Sequence, residues 1–166
     1  MLAQLVAIGV IPSATADPIP GDVGVPDDCT AVLRRISSVV SIATGLPLGS
    51  VPFERHFDPS DRLPYAFDWT EALPEGAKVE TVRRISISAL GAQYGVTVIN
   101  DAEHPTLIDA ETGTLVAFWP SVADLFQSNN AFSSTGSPIG ISMQIATDQS
   151  PPQFIEQTAV LIVRQK

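Results

Sequence analysis

Phe57-Asp58-Pro59-Ser60-Asp61-Arg62-Leu63-Pro64-Tyr65-Ala66-Phe67-Asp68-Trp69 is the stretch on which the fold turns. Pro59 and Pro64 hold the backbone extended, because proline fixes φ, lacks an N–H and disfavours helix in the residue before it. Tyr65, Phe67 and Trp69 alternate with Ala66 and Asp68. A strand here puts three rings on one face and leaves Ala66 and Asp68 on the other. Three aromatic rings committed to one side need a core to receive them.

The residues downstream keep the same period of two. Val79 and Thr81 start a segment that Ile85 and Ile87 continue, across a bulge expected at Val82-Arg83. Tyr94, Val96 and Val98 alternate next. Thr106-Leu107-Ile108-Asp109 is short and runs into a turn at Ala110-Glu111-Thr112-Gly113. Thr114 to Trp119, the alternating Ile139, Ile141, Met143 and Ile145, and Thr158 to Arg164 complete the set. The last is apolar on both faces, as an interior strand is. About seven short strands, parted by Gly, Pro, Asn and Asp turns, predict a mainly β fold and a sandwich over residues 51–166. The boundary falls near Gly49 to Phe53.

Residues 1–50 read differently. Met1 to Ile11 is apolar, carrying Leu2, Leu5, Val6, Ile8, Val10 and Ile11. With Ala14-Thr15-Ala16 it has the look of a signal peptide's apolar core and cleavage site, but it lacks the positive leader. It is too short to cross a bilayer, so the expectation is an apolar arm that docks on a neighbour. Pro12, Pro18, Pro20, Pro26, Gly21 and Gly24 make residues 12–26 an extended linker. Asp27-Asp28 suits a helix N-terminus, and Val32, Ile36, Val39, Val40 and Ala43 recur at helical spacing before Gly45 and Pro47. One short amphipathic helix over about 28–44 is expected, although its Val and Ile content also suits a strand.

Composition narrows the function classes. A chain of 166 residues with 45% hydrophobic content holds one ordinary domain plus an arm. Charged residues are only 16%, which suits a surface covered by neighbours in an assembly. The net charge of −9 argues against nucleic acid as a partner, since that contact needs Lys and Arg to displace counterions. A membrane partner is not expected either. Cys29 is the single cysteine, so there is no disulfide framework, and it is expected to pack as a small apolar residue.

The pieces Asp58-Pro59, Asp61, Tyr65, Asp68-Trp69, Gly76, Gly95-Val96-Thr97-Val98, Trp119, Ile145-Ala146-Thr147 and Thr158-Ala159-Val160-Leu161-Ile162-Val163 stand in the order found in a family of small phage virion proteins. Over roughly residues 57–166 the chain resembles these tail-fibre adaptors and neck or tail components. The resemblance implies an immunoglobulin-like β-sandwich in which Asp58, Asp61, Tyr65, Phe67, Asp68, Trp69 and Trp119 are framework positions. It supplies no catalytic residue.

Residues suited to chemistry are few. His56 and His104 are the two imidazoles, and there is no nucleophile elbow, zinc-protease or phosphate-loop motif. His56, Asp58 and Asp61 are close in sequence, but a hard cation needs more oxygen ligands than these supply. Asp58 and Asp61 are read as turn carboxylates, and no metal or other cofactor is expected. Glu71 with Glu75, and Asp101 with Glu103, are carboxylate pairs of the kind glycosidases use. Both sit in apparent loops and read as solvated. The long segment 120–137, with Leu125, Phe126 and Phe132, is either a contact surface or a lid over a sheet edge.

The expectation is a non-enzymatic virion structural protein. It would join tail or neck to fibres or adjacent rings, as a homo-oligomer (trimer, hexamer or dodecamer). Its partners are other phage tail, neck or fibre proteins, with Leu2, Leu5, Val6, Ile8, Val10, Ile11, Leu125, Phe126 and Phe132 as candidate contacts. A capsid decoration (cement) protein, a secreted immunoglobulin-like binding module and a small hydrolase are the alternatives.

Overall fold

Tyr65, Phe67 and Trp69 are all 0% exposed, and the strand they define, Tyr65–Asp68, lies inside a two-sheet β-sandwich. The computed structural model describes residues 19–35 and 50–166. Among these residues there are ten strands and one α-helix: β1 (Ile19–Gly21), β2 (Thr30–Val32), β3 (Val51–Pro52), β4 (Tyr65–Asp68), β5 (Val79–Ile87), α1 (Ala89–Gln93), β6 (Val96–Ile99), β7 (Leu107–Asp109), β8 (Leu115–Val122), β9 (Ser137–Thr147) and β10 (Phe154–Val163). The first sheet runs β1-β7-β8-β4-β2, with β6 on the far half of β8, and the second runs β3-β10-β9-β5.

The register explains the core. β4 lies antiparallel to β8 with Tyr65 opposite Phe118 and Phe67 opposite Val116, so those four side chains share the inner face. β9 and β10 stay in register from Phe154 opposite Ala146 to Val163 opposite Ser137. That turns Ile139, Ile141, Met143, Ile145, Ala159, Leu161 and Val163 inward, all 0% exposed. Phe53 follows β3 and joins the layers: its ring meets Tyr65 at 5.1 Å and Phe67 at 5.9 Å, edge to face. Each such ring removes about 1.5–3 kcal/mol worth of apolar surface from water, and each edge-to-face pair adds about 0.5–1.5 kcal/mol. The bulge expected at Val82-Arg83 is present, since the β5–β9 register shifts between Val82 and Arg84. β10 is an interior strand between β3 and β9.

Residues 19–35 depart from the expectation. The helix expected from about residue 28 does not start there. Asp27–Cys29 is a single 3₁₀ turn, and Thr30–Val32 is a strand parallel to β4. The cause is a period of two that the helical spacing masks: Cys29, Ala31 and Leu33 are each 1% exposed while Val32 is exposed. β-branched Thr30 and Val32 favour this extended form. Ile19–Gly21, expected within a linker, is likewise a strand, parallel to β7. Pro20 is tolerated there because β1 is an edge strand. Part of the segment 1–50 is therefore built into the sandwich. The rest of the expected helix, 36–44, and the arm residues Leu2, Leu5, Val6, Ile8, Val10 and Ile11 lie outside the described residues.

Tyr94, expected to start a strand, instead ends α1. The Ser88 side chain caps that helix by accepting from the Gly91 N–H. Gly95, at φ +71°, turns the chain into β6.

Candidate functional site

Asp58 and Asp61 hold the end of the chain. Asp58 is 8% exposed. It accepts hydrogen bonds from the Ser60 hydroxyl and N–H and, at 2.7 Å, from the Lys166 N–H. Asp61 takes the Lys166 Nζ at 2.9 Å on both oxygens. Phe57 bridges Val163 in parallel, donating to the Ile162 carbonyl at 2.9 Å and accepting from the Arg164 N–H at 2.9 Å. The segment 51–57 thus zips along β10, and the Asp-Pro-Ser-Asp turn locks the zip. Burial alone would raise the Asp58 pKa, but the bonds from Ser60 and Lys166 outweigh it and hold the carboxyl below its ordinary value. Replacing Asp58 with Ala leaves the Ser60 and Lys166 donors without their acceptor. The expected cost is about 1–3 kcal/mol, measured by urea unfolding. The sign follows from the depressed pKa. The gap between Asp58→Ala and the parent is full above pH 3.8, the ordinary value, and shrinks as pH falls through the lower folded value.

Asp68 faces the opposite side of its strand from the rings, as the alternation predicts, and accepts from the Thr70 N–H at 2.9 Å, which caps the turn after β4. Trp119 is half-buried, with the His104 ring 4.8 Å from it in an edge contact. Segment 120–137 divides. Pro120 to Val122 extend β8, and two 3₁₀ turns follow at Asp124–Phe126 and Asn130–Phe132. Phe132, expected as a candidate contact, is instead a core residue: it is 0% exposed and stacks edge-on against Tyr94 at 5.8 Å. Its carbonyl accepts from the Gln165 N–H at 2.8 Å, so the segment closes over the end of β10. Phe126 is half-buried over Gly95, while Leu125 is 86% exposed.

The candidate catalytic residues are scattered. His56 lies outside the core. His104 Nδ1 lies 3.1 Å from Asp101 Oδ1 on a surface loop, and that oxygen also accepts from the Glu103 and His104 N–H groups. Glu71 pairs with Arg34 at 3.2 Å. Among the described residues no three His, Cys, Asp or Glu side chains gather as metal ligands, and no helix is long and apolar enough to cross a membrane. Cys29 is buried, and burial with the adjacent Asp28 charge pushes its thiol pKa up to about 11. A thiol so protonated is a poor nucleophile. Native protein is expected to resist a thiol-reactive reagent, and one thiol per chain should titrate once denaturant is added.

A concave site emerges on the outer face of the first sheet, where no local motif signals one. β1 and β2 sit on opposite edges yet run in the same direction, because β1 is parallel to β7, β7 and β4 are both antiparallel to β8, and β2 is parallel to β4. The chain from Asp22 to Cys29 must therefore cross back over the sheet as a diagonal strap. The inner face is filled by rings, so the strap takes the outer one. Ala66 and Ala117 point that way and are still only 0% and 2% exposed, as small residues beneath a crossing segment are. Between strap and sheet lies a groove of about 240 Å³. Val23, Val25 and Asp27 form its strap wall, and Thr30, Val32, Asp68 and Leu115 its sheet floor. It is apolar along its length with a carboxylate at either side, and β2 beside it has no second strand neighbour among the described residues.

Comparison of the chain with protein-family models, with curated proteins and with solved structures gives no match.

Proposed function

We propose that this chain is a non-enzymatic structural protein of a bacteriophage particle, an adaptor that joins tail or neck to fibres or adjacent rings and works as a homo-oligomeric ring. One observation carries the reading. The aromatic and acidic residues at the start of the resemblance do framework work: Tyr65, Phe67 and Trp69 fill the core, while Asp58 and Asp61 fasten Lys166. The result is a stiff body whose outer face carries a groove, with an uncharged apolar segment preceding β1 in the chain. Weak single contacts become strong when ring symmetry repeats them.

The test is the protein content of purified particles. The chain is expected to co-band with virions in a density gradient and to persist through a high-salt wash, at a fixed copy number per particle. A chain found only in the soluble fraction contradicts the proposal.

A further inference from the structure

We infer that neighbouring copies stack face on face, with Phe154 and Arg83 of one copy seated in the groove of the next. This deepens the assembly reading above and rests on it.

The two surfaces carry opposite chemistry. The groove is lined by Val23, Val25, Val32 and Leu115, with Asp27 and Asp68 at its sides. Among the described residues neither of these carboxylates has a cation at ion-pair distance, whereas Arg34, Arg55, Arg84 and Lys166 each have an acid. Phe154, at the start of β10, is 57% exposed. The Arg83 guanidinium lies over its ring, 4.3 Å from the centroid, and among the described residues it faces no carboxylate. A ring with a cation on it suits an apolar slot between two carboxylates, because the ring leaves water while the cation meets acid. Aromatic residues and arginine are also the types that interface cores favour. The sizes agree. A cavity of about 150 Å³ takes a benzene ring, and the groove offers about 240 Å³.

Position selects a second copy as the occupant. Ala159, Leu161 and Val163 are buried on the inner side of β10, so Phe154, an odd number of positions away, stands on the outer face of the second sheet. The groove lies on the outer face of the first. One chain cannot bring its two opposite faces together, but stacked copies do so at every junction. Both features also lie at the same end of the sandwich. The Gly113 carbonyl, close to Leu115 in the chain, accepts from the Val79 N–H. Val79 pairs with Thr147, and Phe154 pairs with Ala146. Copies stacked with their long axes aligned therefore set Phe154 against the groove. Such a head-to-tail contact repeats from copy to copy and closes into a ring when the rotation allows. One ring and one cation make a small contact beside the roughly 1,200 Å² of a stable interface. The contact fixes how neighbours are oriented and is too small to hold the assembly alone.

The experiment uses the full chain and two surface variants, followed by sedimentation velocity. Phe154→Ser removes the ring and leaves the groove sound. Val32→Asp spoils the groove and leaves the ring. Both residues are exposed, so the melting temperature is expected to match that of the parent. Each variant alone is expected to self-associate at least about tenfold more weakly than the parent, as loss of an interface anchor does. Arg83→Glu, which sets acid against Asp27 and Asp68, is expected to do the same. A mixture of Phe154→Ser and Val32→Asp chains is expected to associate more tightly than either batch, in one-to-one pairs. The reason is that Phe154 of the second chain still finds the sound groove of the first. Undiminished association of any of the three variants, or a mixture no tighter than its parts, overturns the contact while leaving the assembly reading standing. A parent chain that is monomeric at every concentration removes both.

Discussion

Replacing Phe67 with alanine is expected to remove about 3–5 kcal/mol of stability, the largest effect of any single substitution discussed. Phe67 is 0% exposed. Its ring touches Phe118 at 5.4 Å, Phe53 at 5.9 Å and Trp69 at 6.2 Å, so it joins both sheets. Truncation loses the transfer energy of the ring and leaves a cavity that strands fixed by their ladders cannot collapse into. Domains of this size hold only about 5–15 kcal/mol in total, so the variant should unfold at a much lower urea concentration than the parent. Leu115→Ala, on the outer face of the same sheet, serves as the comparison and is expected to cost far less. A Phe67→Ala loss below about 1 kcal/mol would mean that the ring does not join the layers, because ordinary surface changes stay within about 0.5 kcal/mol of zero.

Gly136→Ala is expected to cost about 2–4 kcal/mol, through two effects that a control can separate. Gly136 sits at φ +76°, where a Cβ costs about 1–2 kcal/mol in any surroundings. A Cβ there would also fall 2.6 Å from the Val163 carbonyl oxygen and 3.2 Å from the Arg164 Cα. Both are backbone atoms at the end of β10 and cannot swing aside as a side-chain tip can. Relief requires moving Val163 and Arg164, which Phe57 holds in place through the parallel bridge and the Arg164 N–H. Gly76 has a similar φ of +73° with nothing near its Cβ position, so Gly76→Ala should show the conformational cost alone. Equal losses at the two sites, measured by thermal or urea unfolding, would deny the close approach at Gly136.

The parts of this fold that can be read from sequence are those whose signal is local. Tyr65, Phe67 and Trp69 announce a buried strand face because alternation fixes side. Ile139 to Ile145 announces a second for the same reason, and the Val82-Arg83 interruption of period marks the β5 bulge. The strands β1 and β2 are hidden because three residues each carry almost no pattern. What fixes them is parallel pairing with residues dozens of positions away, and in the second case the spacing of Val32 and Ile36 imitates a helix. α1 is illegible although Ser88 and Gly95 bracket it, because five residues are too few for a helical period to show. Phe132 looks like a contact because it lies in a polar stretch, yet its burial depends on Tyr94 and on the C-terminal residues. The clamp of Asp58 on Lys166 spans 108 positions, and the groove exists only once register sets Val32, Asp68 and Leu115 in one row. Neither has a local signature.

Sedimentation velocity of the full chain beside a variant lacking residues 1–16 distinguishes a subunit held to its neighbours by its front segment from one that is not. Ending the deletion at Ala16 matters, because cutting through Pro26 would also remove β1 and most of the strap and confuse folding with assembly. A closed oligomer is expected for the full chain and a monomer for the shortened one, with the same melting temperature. A shortened chain that assembles as well as the parent, or a full chain that stays monomeric at every concentration, would contradict the assembly proposed for this protein.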